Sequence, residues 1–118
     1  MTNSILNTIK EMLGITAECC DFDTIIKTDI NSAMSTLYQL GVGPKYGFTI
    51  TGAEELWHDL IGDAKALEIV KTYIYLKTKL LFNPPTSSAV IASIERMITE
   101  HESRIISYNE SISVLDNL

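Results

Sequence analysis

Hydrophobic residues recur every three or four positions along most of the chain, the spacing that places them on one face of a helix. The first such stretch predicts a helix over residues 3–13, closed by Gly14. The second predicts a helix that begins at a cap, Asp21 or Asp23, and ends before Gly41. This second helix has one apolar face and is expected to pack on one side only.

Residues 41–52 interrupt the helical pattern, and they contain four of the six glycines and one of the three prolines. A loop of this length is typical of a functional contact or of a disordered excursion. A short β-like run lies near its end, at residues 48–50. Thr51 and Glu54 then have the spacing of a capping box, which predicts the start of a short third helix that ends at Gly62.

Two long helices are expected over about 64–82 and 87–108, joined by a corner of sequence NPP at residues 83–85. Asp63 is placed to cap the first of them, and its wide apolar band indicates a central helix covered on more than one side. The corner ends that helix because proline lacks an N–H and restricts the residue before it. Each helix spans about 30 Å, so a tight corner lays them antiparallel. We predict an all-α fold, a small bundle of about four to five helices.

The last ten residues, 109–118, lose the helical periodicity but keep several aliphatic side chains. These are Ile112, Val114, Leu115 and Leu118. A tail of this composition is expected to dock on a partner rather than to float in solvent. No repeat or linker divides the rest, so we predict a single helical domain over residues 1–108 and a docking tail over residues 109–118.

Length, charge and cysteine content narrow the class of protein. With 118 residues and 46% hydrophobic content, the chain is long enough for one modest core. A net charge of −6 opposes attraction to nucleic acid, which depends on lysine and arginine. Cys19 and Cys20 are expected to be free thiols in a reducing compartment, because a bridge between neighbours is strained. No stretch has the make-up of a secretion signal or a membrane span.

The sequence contains no combination of residues that predicts catalysis or metal binding. His58 and His101 lie on different predicted helices, whereas a metal site needs several ligands at fixed distances. We expect His58 on the surface and His101 at the edge of the core. Acidic pairs fall at helix starts, where capping explains them, and the glycines of residues 41–47 fit no phosphate-binding motif. The expectation is a protein without enzymatic activity and without a cofactor.

The corner carries a family resemblance. The stretch YIYLKTKLLFNPPTSS, residues 73–88, resembles the head–tail connector, or adaptor, proteins of long-tailed bacteriophages. In that family a similar phrase, Y-[IV]-x-L-[KR]-x-[KR]-L-x-F-[DN]-P-P-x-[ST], ends one long helix and opens the next. The matching positions are Tyr73, Ile74, Leu76, Lys77, Lys79, Leu80, Phe82, Asn83, Pro84, Pro85 and Ser87. The resemblance is most specific over residues 63–104, and it departs most in residues 41–52 and in the tail.

The resemblance implies a structural virion protein of head completion. Such a protein assembles as a ring, dodecameric on the virion, beneath the portal after DNA packaging. The ring extends the DNA channel and provides a platform for the stopper or tail. It implies a place at the head–tail interface after assembly in the host bacterial cytoplasm, with no membrane partner and no specific nucleic-acid binding. It further implies that the C-terminal segment reaches the portal, which would make Ile112, Val114, Leu115 and Leu118 its anchors.

Two further groups of residues are expected to contact partners. The glycine-rich loop offers a subunit or tail-side contact through Pro44, Lys45, Tyr46 and Phe48. Opposed charges on different helices would suit repeated head-to-tail contact around a ring. The candidates for such inter-subunit charges are Lys71, Lys77, Lys79, Glu54, Glu55 and Asp59. The competing interpretation is a small helical protein-binding adaptor or regulator with no virion role.

Overall fold

A computed structural model describes residues 3–116, and the side chains of all of these except residues 64 and 110–116. The described chain forms five helices: α1 (Ile5–Met12), α2 (Asp23–Gln39), α3 (Trp57–Leu60), α4 (Ala64–Phe82) and α5 (Ser88–Asp116). Over residues 3–116 the only β-type pairing is an isolated bridge between Ser4 and Leu56. The predicted all-α class is confirmed.

The core is organised around α4, which packs against α1, α2 and α5. Its buried side chains come from all five helices and from the loop after α2. They are Ile5, Leu6, Ile9, Ile26, Ile30, Ala33, Met34, Leu37, Val42, Ile50, Trp57, Leu60, Val70, Tyr73, Ile74, Leu76, Ile98 and Ile105. The prediction that α4 is central and covered on more than one side is therefore confirmed.

Helices α4 and α5 form the predicted antiparallel hairpin. The Tyr108 hydroxyl of α5 donates to Asp63 at the start of α4, and the Tyr73 hydroxyl, further along α4, donates to Glu102 at 2.7 Å. As the residue number rises along α4, the number of its partner falls along α5, which is the signature of antiparallel pairing. Helix α5 runs on to Asp116, past the predicted end at residue 108, because residues 109–116 contain neither proline nor glycine.

Two helix starts differ from the sequence prediction. Neither Asp21 nor Asp23 caps α2, because Asp23 is already its first residue and its carboxylate contacts the Lys10 ammonium at 2.8 Å. Helix α3 begins at Trp57 and not at the Thr51 capping box. Both predictions were wrong: Lys10 engages the Asp23 carboxylate, and the residues around Thr51 bond to Glu55 rather than to Glu54.

The residues before α3 form a turn in place of a helix. The Glu55 carboxylate, one residue beyond the expected Glu54, accepts the Thr51 hydroxyl at 2.8 Å and the Thr51 N–H at 3.0 Å. The backbone amide of Leu56 donates to Asp59 at 3.0 Å, which supplies the capping contact of α3. The β-like run at residues 48–50 forms no strand.

The predicted Asp63 cap at the hairpin is confirmed, and Ser87 supplies a second local cap. Asp63 caps α4, with its Oδ1 accepting the Lys65 N–H at 2.8 Å. Ser87 accepts the N–H of Val90 at 3.4 Å at the start of α5. Both caps stand next to the residues they serve, so the sequence alone indicates them.

Candidate partner-contact surfaces

The glycine loop, residues 41–52, accepts hydrogen bonds from three side chains of α2, and Asn31 bonds to it twice. The Asn31 amide donates to the Ile50 carbonyl at 3.0 Å, and its oxygen accepts the Ile50 N–H at 2.7 Å. Val42 near the other end of the loop is buried, as is Ile50 itself. Two buried points and a paired amide thus hold the loop on the body of the protein.

Between these anchors the loop turns outward. The Gly47 N–H donates to the Pro44 carbonyl at 2.9 Å, and the Tyr38 hydroxyl donates to the Lys45 carbonyl at 3.0 Å. Gly47 has a φ of 86°, a conformation that glycine adopts without strain. Tyr46 is 98% exposed at the tip, so its ring makes almost no contact with its own subunit.

The structure separates the four predicted contact residues of this loop into two kinds. Pro44, Lys45 and Tyr46 are exposed, and we call these three residues the loop apex. Phe48 is half-buried and packs against the core. Phe48 therefore anchors the loop, and of these four residues only those of the apex present their side chains outward.

Three of the predicted inter-subunit charges are engaged within the subunit. Glu55 holds the turn before α3, and Asp59 caps that helix, as described above. Hydrogen bonds from Thr51 and Gly52 lower the pKa of Glu55 despite its partial desolvation. Lys71 lies 3.6 Å from Glu68 and 5.6 Å from the centre of the Trp57 ring. Contacts within the subunit therefore explain the charges of Glu55, Asp59 and Lys71 without a partner.

The other three charges have no ionic partner among the described side chains. Lys77 lies 5.9 Å from the centre of the Tyr73 ring, and Lys79 and the exposed Glu54 form no ion pair there. Their role between subunits stays a prediction.

The far end of α5 is tied to two other elements at once. The Tyr108 hydroxyl donates to Asp63, and the Asn109 amide donates to the Leu40 carbonyl at 2.6 Å. The hydrogen bond from Tyr108 and the backbone N–H of Lys65 lower the pKa of Asp63, and the same carboxylate raises the pKa of Tyr108. The end of α2 and the start of α4 are therefore fastened to one turn of α5.

The predicted portal anchors lie beyond this tie. Ile112, Val114 and Leu115 belong to the last turns of α5, where the backbone alone is described, and Leu118 lies outside the described residues. Their contact with a portal stays a prediction.

A buried lysine was missed by the sequence analysis. Lys10 is 1% exposed, and its ammonium reaches the carbonyls of Ala17 at 3.1 Å and Cys19 at 2.7 Å as well as the Asp23 carboxylate. One signal could have found it: Lys10 follows Leu6 by four positions, so it lies on the apolar stripe of α1. It fixes the loop between α1 and α2 from the inside.

The described residues show no arrangement suited to catalysis. His58 is exposed, and the half-buried His101 has its Nδ1 2.8 Å from the Met97 carbonyl, as expected for both. Cys19 and Cys20 are free thiols. No three potential metal ligands among His, Cys, Asp and Glu come together in this part of the chain, and none of its helices has the length and apolarity to cross a membrane.

The described residues form a small all-α bundle in which polar side chains fix helices and loops. A sequence profile of the family described as phage connector protein matches residues 5–111. The chain therefore belongs to the phage connector protein family, a structural family that joins phage heads to tails, and it is a virion component that contacts other head and tail proteins. No curated protein and no solved structure matches the chain.

Proposed function

We propose that the protein is the ring-forming adaptor that binds the portal after DNA packaging. The family match over residues 5–111 carries this proposal, because it spans α1 to α4 and most of α5. The ring, dodecameric on the virion, extends the DNA channel and gives the stopper or tail-completion protein its platform. The head–tail interface is its site in the virion, and assembly takes place in the bacterial cytoplasm.

The charge of the protein supports a conduit for DNA. A net charge of −6 leaves few groups that would displace counterions from the phosphate backbone. An acidic wall repels a passing duplex, whereas a basic lining would retain it. The protein therefore needs no specific nucleic-acid contact to act as a channel segment.

The C-terminal end of α5 supports portal binding. Tyr108 and Asn109 fasten α5 to the body, and the helix continues to Asp116 beyond them. These last turns add about 10 Å of helix past the last described side-chain tie. We assign portal attachment to this segment and to Ile112, Val114, Leu115 and Leu118 within the tail.

A truncation tests the assignment. The full chain is expected to co-purify with the portal protein of the same phage and to form rings on it in electron micrographs. A chain cut after Asn109 keeps both ties of α5, so it should retain its helical circular dichroism and lose portal attachment. Unchanged attachment would refute the role of the tail. A full chain that neither binds portal nor forms a ring would sink the proposed function.

A further inference from the structure

The loop apex (Pro44, Lys45 and Tyr46) has the composition of an interface anchor. Tyr46 is 98% exposed. A buried aromatic side chain typically removes about 150–250 Å² from solvent, so a partner that covers Tyr46 would gain a large apolar contact. Lys45 is the single charged residue between positions 41 and 53. Tyrosine is enriched among the residues that dominate binding energy, above all when it fills a pocket on the partner.

A groove of matching character lies between α2, α4 and α5. Its volume is about 400 Å³, which is ample for one aromatic ring. We call it the three-helix groove, lined by Ser32 of α2 and, on α4 and α5, by Lys77, Leu80, Leu81, Glu95, Ile98, Thr99 and Glu102. Leu81 is 55% exposed there, although its place on the apolar stripe of α4 predicts burial.

The charges and apolar surfaces of the apex and the groove are complementary. Leucine and isoleucine side chains offer an apolar floor for the Tyr46 ring, and the exposed Glu95 offers its carboxylate to Lys45, whereas Glu102 already accepts the Tyr73 hydroxyl. The groove's own cation, Lys77, lies 5.9 Å from the Tyr73 ring centre and forms no ion pair with a described side chain. Two carboxylates against one ammonium leave an excess of negative charge for an incoming lysine.

The apex does not fill the groove of its own subunit. It lies beyond the end of α2, where Leu40 is bonded to Asn109, whereas the groove begins near the corner at the last turn of α4. About 16 Å of helix separates Asn109 from Ile98 along α5. The Tyr38 bond fixes Lys45 beside the end of α2, and the Tyr46 ring points into solvent there.

We propose that the loop apex of one subunit docks into the three-helix groove of a second copy of this chain. The two surfaces are different parts of the molecule, so the contact is heterologous and repeats from copy to copy until a ring closes. This inference rests on the proposed function and gives its ring a residue-level interface. Tyr46 is the anchor, and Lys45 sets the register opposite Glu95.

A charge exchange tests the contact, with self-association measured by analytical ultracentrifugation, in the presence of the same phage's portal if the free chain is monomeric. Lys45→Glu and Glu95→Lys should each weaken association at least about tenfold, and the double variant should recover most of the loss. Tyr46→Ser should weaken it at least as much as either charge reversal. All of these positions are exposed, so folding should be preserved.

Two matched controls carry the same change of charge elsewhere. Lys65→Glu changes an exposed residue at the start of α4, and Glu100→Lys changes an exposed residue of α5; both positions lie outside the groove lining, so both variants should associate like the wild type. The proposal is overturned if Lys45→Glu and Tyr46→Ser assemble normally, or if the double variant associates no better than the single variants. It is also overturned if these variants form normal rings and lose only the binding of the stopper protein. Assembly that is normal in every variant on the portal leaves the adaptor role standing and removes only this interface.

Discussion

The two longest connections of the molecule are built in opposite ways. Residues 13–22, between α1 and α2, fold around the ammonium of Lys10, which enters from the protein side and bonds carbonyls of the loop. Residues 40–56, between α2 and α3, are held at Ile50 by Asn31 and turn Tyr46 into solvent. We call residues 13–22 the inner loop, whose polar contacts stabilise the subunit. We call residues 40–56 the outer loop, which is fixed to α2 by hydrogen bonds and leaves the side chains of its apex exposed.

This difference teaches where substitutions should matter. In the inner loop a single side chain serves three oxygen atoms, so its removal leaves several polar groups without a partner. In the outer loop the frame and the exposed tip are separate, so stability and partner contact should respond to different residues. The following variants test that separation, from the largest expected effect on stability to the smallest.

Lys10→Met should break the inner loop. It leaves the carboxylate of Asp23 and two backbone carbonyls without their cation, and we expect a loss of about 3 kcal/mol in the free energy of unfolding. Urea denaturation followed by circular dichroism measures it. The matched control Lys79→Met should change stability by less than about 0.5 kcal/mol. Equal stability of the two variants would show that the inner loop does not depend on Lys10.

Asn31→Ala should loosen the frame of the outer loop. Both hydrogen bonds to Ile50 are lost, at a cost of about 2 kcal/mol in unfolding free energy. Trypsin should then cleave faster after Lys45, the single basic residue of that loop. Asn31→Asp keeps an acceptor for the Ile50 N–H and should give a smaller loss. An unchanged cleavage rate in Asn31→Ala would mean that the loop is held elsewhere.

Tyr73→Phe provides a reference outside both loops. The loss of its bond to the partly exposed Glu102 should cost about 1 kcal/mol near pH 8 and leave tryptic cleavage of the outer loop unchanged. Burial, followed by the bond to Glu102, raises the pKa of Tyr73. A raised folded pKa contributes stability that is fully present below about pH 10, the pKa of an unfolded tyrosine, and is lost as the pH rises further.

The difference between wild type and Tyr73→Phe should therefore shrink above about pH 10. Urea melts at two alkaline pH values would measure this. A difference that stays constant across that range would contradict the assignment of the shift to this hydroxyl.

Tyr46→Ser should have the smallest effect on the isolated subunit. Since its side chain is 98% exposed, the free energy of unfolding should change by less than about 0.5 kcal/mol. Phe48→Ser, two positions on, removes a half-buried ring from the core and should be clearly destabilising. Similar losses in the two variants, measured by thermal denaturation, would erase the distinction between frame and tip.

Local signals explain which parts of the fold could be predicted. The end of α4 before Pro84 and Pro85 and the Asp63 cap both depend on residues close in sequence, and both predictions are confirmed. The start of α3 could not be predicted, because the N-terminal segment fixes it: Ile5 N–H donates to the Glu55 carbonyl at 3.1 Å, and the Trp57 N–H donates to Asn3 at 3.0 Å. Those partners lie about fifty positions away in the chain.

The contact surfaces divide in the same way. The exposed apex was predicted from the turn-forming composition of its loop, whereas the inward position of Phe48 depends on the core it meets. The three-helix groove could not be predicted, because it requires the relative placement of α2, α4 and α5. The buried role of Lys10 depends on carbonyls of a loop whose path is set by tertiary packing.

The bond between Asn109 and Leu40 has a mechanical consequence. A Cβ added at Gly41, the residue after Leu40, would lie 3.0 Å from the Asn109 amide nitrogen, so the two segments pack closely there. A displacement of α5 at Asn109 would therefore also move Leu40 and Gly41, at the start of the outer loop. If the tail and the loop apex bind their partners as proposed, occupancy at one would change the affinity at the other, and thermodynamic reciprocity requires the same factor in both directions. Assembly would acquire an order without any dedicated timing signal.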